Sequence, residues 1–161
     1  HNYVNLAMAV GIDEGLLVPV VHGAEKLGLV DLMLRLKDIT ERAVGKKLTP
    51  ADQEGSTFTI SNLGMYGVES FTSIINQPNS AILSIAGTKE MPVVRNGEVV
   101  IRPIMKMSLT SDHRVINGLA AAKFMQELKA TLESPPPSLC SSKLLQTSFN
   151  SPHTKHKRYP I

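Results

Sequence analysis

The heptapeptide Asp112-His113-Arg114-Val115-Ile116-Asn117-Gly118 decides how the fold of this 161-residue chain is interpreted. The residues before it, Ile104 to Thr110, are apolar and β-prone, which predicts a strand. Apolar residues recur after it at helical spacing: Leu119, Ala122, Met125, Leu128 and Leu132. The heptapeptide therefore places His113 between a strand and a helix, where it can present a general base to a cleft. Taken alone, such a histidine could equally do no more than cap the strand end.

The remaining strands follow from β-prone runs bounded by turn signals. We predict them at Tyr3 to Gly11, Leu16 to Val21, Thr57 to Ser61, Ala81 to Ala86, Met91 to Arg95, Glu98 to Ile101 and Met105 to Thr110. The dipeptide Asn96-Gly97 predicts a tight hairpin. Pro19 implies a sheet edge, a bulge or a strand end, because proline cannot donate to a ladder.

Three helices are predicted from capping signals and periodicity. Asp31 is expected to cap the first, which buries one face and ends at Gly45 in the C′ position. The residues of that face are Leu32, Leu36, Ile39 and Ala43. Thr49-Pro50 predicts a short second helix, with proline at its first position. The last helix is expected from Leu119 to Leu132.

Composition and charge exclude several classes of protein. The net charge of +3 comes from a tail, residues 139–161, which carries Lys143, Lys155, Lys157 and Arg158 and no acidic residue. The rest of the chain is nearly neutral, so we expect no nucleic-acid partner. No apolar run reaches the roughly 18 residues of a membrane span, so no membrane partner is expected. One cysteine, Cys140, excludes an internal disulfide and a cysteine-based metal site, and no metal is predicted.

Four blocks of the sequence together resemble one enzyme family. The heptapeptide resembles the D-H-R-x-x-[DN]-G signature of dihydrolipoamide acyltransferases, the E2 cores of the 2-oxo-acid dehydrogenase complexes. The other blocks, in the family's order, are Gly15 to Val21, Phe58-Thr59-Ile60-Ser61-Asn62-Leu63-Gly64, and Ile74 to Pro78 with Ala81-Ile82-Leu83. The resemblance covers about Tyr3 to Ser134. It implies an α/β fold, a chloramphenicol acetyltransferase-like two-layer sandwich with a mixed β-sheet flanked by helices.

The resemblance implies acyl transfer, most simply acetyl, between dihydrolipoamide and coenzyme A. A thiol that attacks a thioester needs a base, and the resulting oxyanion needs a hydrogen-bond donor. By resemblance His113 is the base, Ser61 the donor and Asn117 an orienting residue. Leu83, Ser84 and Gly87 are expected to border the thiol channel. Read without the motif, a serine at a strand end is a turn residue.

Neighbours of these residues are given supporting roles. Asp112 and Arg114 are expected to be structural partners of each other rather than reactants. Gly118 is expected to be needed for its backbone conformation.

The family also implies partners and a compartment. We expect a homotrimer in which Ser61 of one chain faces His113 of its neighbour, with trimers assembling into a larger core. The dehydrogenase (E1) and dihydrolipoamide dehydrogenase (E3) components would bind through upstream domains, and lipoamide would arrive on a separate lipoyl domain. The expected location is the bacterial cytoplasm or the mitochondrial matrix.

The domain assignment follows the resemblance. Residues 1–134 are interpreted as the C-terminal part of the catalytic domain. Residues 135–161 are expected to be a disordered tail or one that crosses to a neighbouring subunit. This tail departs from the family and is interpreted as non-native sequence, with a native extension as the alternative.

Two other functions stay open from the sequence. The chain could be a catalytically inactive core fragment or scaffold, which would be expected to lose its histidine. It could also be a free-standing acyltransferase for a small acceptor. Asp112-His113-Arg114 and the block from Phe58 to Gly64 favour the E2 interpretation over the second.

Overall fold

A computed structural model describes residues 2–137, which form a mixed sheet with two α-helices. Its strands are β1 (Leu6–Ile12), β2 (Gly15–Leu17), β3 (Val20–Val21), β4 (Phe58–Asn62), β5 (Ala81–Arg95) and β6 (Glu98–Ser111). Its helices are α1 (Leu29–Val44) and α2 (Gly118–Glu133), with short 3-10 helices at Ala24–Lys26, Pro50–Asp52 and Gly64–Tyr66. Within this part of the chain no helix is long and apolar enough to cross a membrane.

The sheet is ordered β2-β1-β4-β5-β6, and β3 also pairs with β1. Strands β1, β4 and β5 run parallel to one another, while β2, β3 and β6 pair with their neighbours in the antiparallel sense. Helix α1 packs near β1 and β3, and α2 lies against β6. The expected α/β arrangement, a mixed sheet with helices, is confirmed.

The hairpin between β5 and β6 forms where Asn96-Gly97 predicts it. Both residues have positive φ, 52° and 84°, and the flanking Arg95 and Glu98 are paired. This is the two-residue turn whose twist suits a hairpin. The strands run farther than predicted: β5 is continuous from Ala81 to Arg95 through a register irregularity between Ile85 and Thr88. The sequence predicts two separate strands here, because the polar residues between Ala86 and Met91 indicate a break. In the structure the second half of β5 is exposed to solvent, so polar residues continue the strand.

Local details of the first third differ from the predictions. Pro19 does mark a strand end, since it separates β2 from β3 where one strand was expected. The first helix begins at Leu29 with Gly28 as its N-cap, so Asp31 is a first-turn residue and not the cap. A carboxylate there is still favoured by the helix dipole.

The end of α1 also needs a correction. Gly45 follows the helix but has a φ of −76°, and Lys46 takes the left-handed conformation with a φ of 55°. Ile39 and Ala43 are buried as predicted. The short helix predicted at Thr49-Pro50 is confirmed as a 3-10 helix with Pro50 at its first position, and a capping box joins Thr49 to Asp52.

Three buried polar residues lie together where the segment between β4 and β5 covers the sheet. Thr59 is fully buried, and its hydroxyl oxygen accepts a 2.6 Å hydrogen bond from Asn79 Nδ2. Ser84 is 1% exposed and shares a 2.7 Å hydrogen bond with Ser73. Because unpaired polar groups are costly inside a protein, these pairs fix the covering segment to the sheet.

Helix α2 packs loosely. None of its residues is buried, and Leu119 and Leu132 are exposed although the periodicity assigned them to a packed face. Phe124 lies near Phe58, with ring centroids 5.9 Å apart. The apolar face of α2, which the sequence predicts to pack in the core or against another subunit, is therefore largely exposed in this chain.

Gly64 and Gly87 let the segment after β4 approach β5 closely. A Cβ at Gly64 would lie 3.0 Å from the carbonyl oxygen of Ala86. A Cβ at Gly87 would lie 3.2 Å from the carbonyl oxygen of Gly64 and 3.3 Å from that of Val68. Both neighbours are backbone atoms, so a side chain could be accepted only by moving the chain.

We expect Gly64→Ala to lower the free energy of unfolding by about 1–3 kcal/mol, the usual cost of overpacking. The measurement is a urea denaturation curve. Gly118→Ala is the matched control, because a Cβ there meets nothing within 4 Å. Equal stability of the two variants would show that the approach of Gly64 to β5 is not tight.

Candidate active site

His113 lies in a tight turn directly after β6. The backbone N–H of Asp112 donates to the carbonyl oxygen of Ser80 at 2.9 Å, which attaches the turn to the start of β5. The N–H of Ile116 donates back to the carbonyl oxygen of Asp112 at 2.8 Å. Between these anchors His113 is exposed, and its ring makes no hydrogen bond to any described residue. The ring is available to a substrate or to another chain.

Asp112 and Arg114 are structural partners of each other, as predicted. The Arg114 guanidinium donates to both carboxylate oxygens of Asp112, the shortest contact being 2.6 Å. The Arg114 side-chain hydrogen bonds, and then its backbone N–H, lower the pKa of Asp112 to about 2. The pair therefore stays ionised under ordinary conditions and fixes the backbone on both sides of His113.

Asn117 has a role that the sequence interpretation missed. It is the N-cap of α2, and its side-chain oxygen accepts a 2.9 Å hydrogen bond from the backbone N–H of Ala120. The signal was present, since asparagine directly before an apolar periodic run is a good helix cap. The expectation for Gly118 is wrong within the described residues, because its φ is not positive and a Cβ there would have open space.

Ser61 lies in β4 on a row of small residues that crosses the sheet. Its register partners are Ala9 on β1 and Ser84 on β5, and Ser84 is paired in turn with Ser108 on β6. Ser61 is half-buried, and its hydroxyl makes no hydrogen bond to a described residue. The hydroxyl is thus a free donor beside a narrow row of side chains.

Ser61 and His113 lie well apart within one chain. Ser111, where β6 ends, is three positions beyond the Ser61 level, roughly 10 Å along the strand. β6 also lies two strands from β4, about 10 Å across the sheet. A base and an oxyanion donor must each come within about 3 Å of atoms around one carbonyl carbon. A single chain does not bring these two residues together.

The three residues expected to border a thiol channel are interior. Leu83 and Ser84 are 4% and 1% exposed, and Gly87 is buried against the backbone of the covering segment. They lie beside Ser61, but the described residues present no open channel at them. Their contact with a thiol substrate stays a prediction.

Two clefts open at the edge of the sheet where His113 lies. One, of about 630 Å³, is mainly apolar and is lined by residues that include Ala81, Leu109, Ile116, Ala120 and Phe124. The other, of about 430 Å³, includes Leu16, Asn76 and Gln77. They share Gly55, Ser56 and Pro78. Sequence reasoning did not find these clefts, although two of the four family-like blocks contribute to the second.

The remaining titratable side chains offer no second centre in this part of the chain. No group of three or more His, Cys, Asp or Glu residues that could hold a metal ion is found among residues 2–137. His22 follows β3, and its Nε2 atom lies 3.1 Å from the carbonyl oxygen of Ala51. The predicted tail lies outside the described residues from position 138 onwards, and this part includes Cys140. The predicted domain boundary at Ser134 stays a prediction.

Comparison with known proteins establishes the family. The family model for the 2-oxoacid dehydrogenases acyltransferase (catalytic domain) matches residues 1–140. The chain belongs to this family of acyltransferase catalytic domains. The resemblance carried by the four sequence blocks is confirmed.

Curated relatives carry different acyl groups. The chain is 40% identical over 135 residues to the dihydrolipoyllysine-residue acetyltransferase component of the pyruvate dehydrogenase complex of Rickettsia felis, covering 84% of this chain and 33% of that protein. It is 42% identical over 134 residues to the dihydrolipoyllysine-residue succinyltransferase component of the 2-oxoglutarate dehydrogenase complex of Rickettsia bellii, covering 83% and 34%. The chain spans about a third of the length of these relatives.

Solved structures agree with the family. A dihydrolipoamide acetyltransferase (E2p) from Azotobacter vinelandii matches with a TM-score of 0.82 and 37% identity, over 86% of this chain and 57% of that one. Its study concerns the role of a serine, a histidine and an asparagine in the catalytic mechanism. The cubic core of a pyruvate dehydrogenase multienzyme complex matches with the same score, identity and coverage.

We expect Asn117→Ala to lower the free energy of unfolding by about 1 kcal/mol, because α2 loses its cap. Asn117→Asp keeps an acceptor at the same place and should retain the stability. Urea denaturation of both variants provides the measurement. Similar losses in the two would mean that the cap does not account for the presence of Asn117.

Proposed function

We propose that the protein transfers an acyl group between dihydrolipoamide and coenzyme A, with His113 and Ser61 in the active site. One observation carries this proposal. In the Azotobacter vinelandii enzyme the serine and histidine are 52 positions apart, and the histidine and asparagine four. The same separations hold here between Ser61, His113 and Asn117. The same three residue types at the same two separations rarely arise by chance, so they indicate that the two proteins have the same active site.

His113 acts as the base. A free thiol is mostly protonated at neutral pH, so attack by its sulfur on a thioester is helped when a base removes the proton. The exposed ring of His113 has no described partner to compete with that proton. When the tetrahedral intermediate collapses, the departing sulfur takes the proton back from the imidazolium, so the histidine is regenerated.

Ser61 acts as the donor to the oxyanion. The carbonyl oxygen of the thioester gains a negative charge as the carbon–sulfur bond forms, and a fixed hydroxyl stabilises it. The Ser61 hydroxyl makes no hydrogen bond to a described residue, which supports this role. A thioester is already activated towards thiols, so the mechanism derived from these residues uses one base and one donor.

Each active site is built from two chains. The separation of Ser61 from His113 within a chain supports this, because one chain cannot offer both to the same carbonyl group. Ser61 of one subunit faces His113 of the next in a closed homotrimer. The likeness to the cubic core of a pyruvate dehydrogenase complex further supports assembly of trimers into a larger core.

Acetyl is the favoured acyl group. The acetyltransferase of Rickettsia felis is among the relatives, and Asn117 occupies the variable Asp or Asn position of the signature. The succinyltransferase relative shows that the family also admits a larger, charged acyl group. Competing acetyl and succinyl donors in one assay would decide between them.

A second candidate function is that of a non-catalytic piece of the core. The uncovered face of α2 and the coverage of 57% of the solved chains favour it, because both imply that further polypeptide completes the domain. A well-folded oligomer without transfer activity would identify this alternative.

We expect His113→Ala to reduce acetyl transfer from acetyl-coenzyme A to dihydrolipoamide by at least about 100-fold, the contribution typical of a general base. The oligomer mass should stay unchanged in light scattering, because the side chain is exposed. His22→Ala is the matched control and should retain activity. Transfer at the normal rate by the His113 variant would exclude the mechanism.

Mixing two inactive variants tests the shared site. Chains with His113→Ala and chains with Ser61→Ala are unfolded together and refolded. A site is intact where a His113→Ala chain supplies Ser61 and a Ser61→Ala chain supplies His113. Each condition holds at about half of the sites in a randomly mixed symmetric ring, so about a quarter of the normal activity should return. No recovery from properly assembled mixed oligomers would place both residues of each site on one chain.

A further inference from the structure

Ser84 is the polar side chain that faces Ser61 most directly across the parallel ladder. The two residues are register partners on β4 and β5, so their side chains extend from the same face of the sheet. Neighbouring strands are about 5 Å apart, and hydroxyl side chains paired in this way commonly bond to each other. On the other side of Ser61 the partner is Ala9, which has no polar group.

The Ser84 hydroxyl is instead bound to Ser73. The two oxygen atoms are 2.7 Å apart, and Ser84 is 1% exposed, so water does not offer an easy alternative. Ser73 belongs to the segment that covers the sheet between β4 and β5, where it is half-buried. No described residue other than Ser73 bonds to this hydroxyl. Ser61, with no partner of its own, is left free.

We infer that Ser73 is a positioning residue that keeps the Ser84 hydroxyl away from Ser61, so that Ser61 can donate to the oxyanion. This inference rests on the proposed function. A serine hydroxyl turns between staggered rotamers at little cost, whereas a buried hydroxyl without a partner is costly. Without Ser73, the Ser84 oxygen would be free to accept a hydrogen bond from the hydroxyl of Ser61, its register partner on β4. The catalytic hydroxyl would then have to break that bond in every turnover.

We expect Ser73→Ala to lower kcat roughly 3- to 10-fold, the strength of one ordinary competing hydrogen bond. KM should change little, because the oxyanion exists only in the transition state. The distinguishing variant is the double substitution Ser73→Ala with Ser84→Ala. It removes the competing hydroxyl, so its kcat should recover to within about twofold of that of Ser84→Ala alone, since the hydrogen bond that held Ser61 is gone.

Two single variants complete the experiment. Ser84→Ala alone is the reference for the double variant, because it carries by itself any effect of Ser84 on the thiol channel that it is expected to border. Ser108→Ala is the matched control: it removes a serine from the same row, one strand farther from Ser61, where no described hydrogen bond is lost. Thermal unfolding midpoints of all variants are measured beside the kinetics, which are run on the assembled protein.

The outcomes separate this inference from the proposed function. If the double variant is several-fold less active than Ser84→Ala alone, Ser73 acts without the Ser84 hydroxyl, the serine pair supports structure only and the inference is overturned. If Ser61→Ala and His113→Ala leave transfer intact in the same assay, the proposed function fails first. Recovery in the double variant, with His113-dependent transfer, supports both.

Discussion

The parallel ladder between β4 and β5 is the constraint on which the rest of this structure depends. It pairs Thr59 with Ile82 and Ser61 with Ser84, and β6 is then added to β5 in the opposite direction. This pairing places Ser61 three positions from the level at which β6 ends, just before His113. Because side chains alternate faces along a strand, a slip of one residue would turn Ser61 away from its row. The buried bonds of Asn79 and Ser73 to the sheet oppose such a slip.

Much of the fold could be predicted because short signals with a local physical cause decide it. Asn96-Gly97 supplies two positive φ angles, and Thr49-Pro50 supplies a capping box, whatever lies elsewhere. Signals that depend on neighbours were less reliable. The length of β5 follows from its pairing with β6, which no periodicity within Ala81 to Arg95 reveals. Propensity placed the left-handed residue at Gly45, whereas Lys46, one position later, has the positive φ.

The residues named for the candidate site come from motifs, whereas their separation within one chain comes from the fold. A motif identifies His113 and Ser61 and says nothing of the distance between them, which is set by strand order and direction. Asn117 shows a second limit, since one side chain can serve both a motif and a helix end. The family match over residues 1–140 includes both positions, and within one chain they lie apart.

The hairpin of β5 and β6 has a consequence for how the protein behaves in solution. It extends past the end of β4, so both of its edges expose backbone groups there, and Val94 and Val99 are largely exposed beside them. Such a ribbon invites edge-to-edge association with other chains. Pro92 and Pro103 lie within this stretch and lack the N–H that a new strand would need. Both prolines therefore oppose the addition of a further strand along the exposed part of the hairpin.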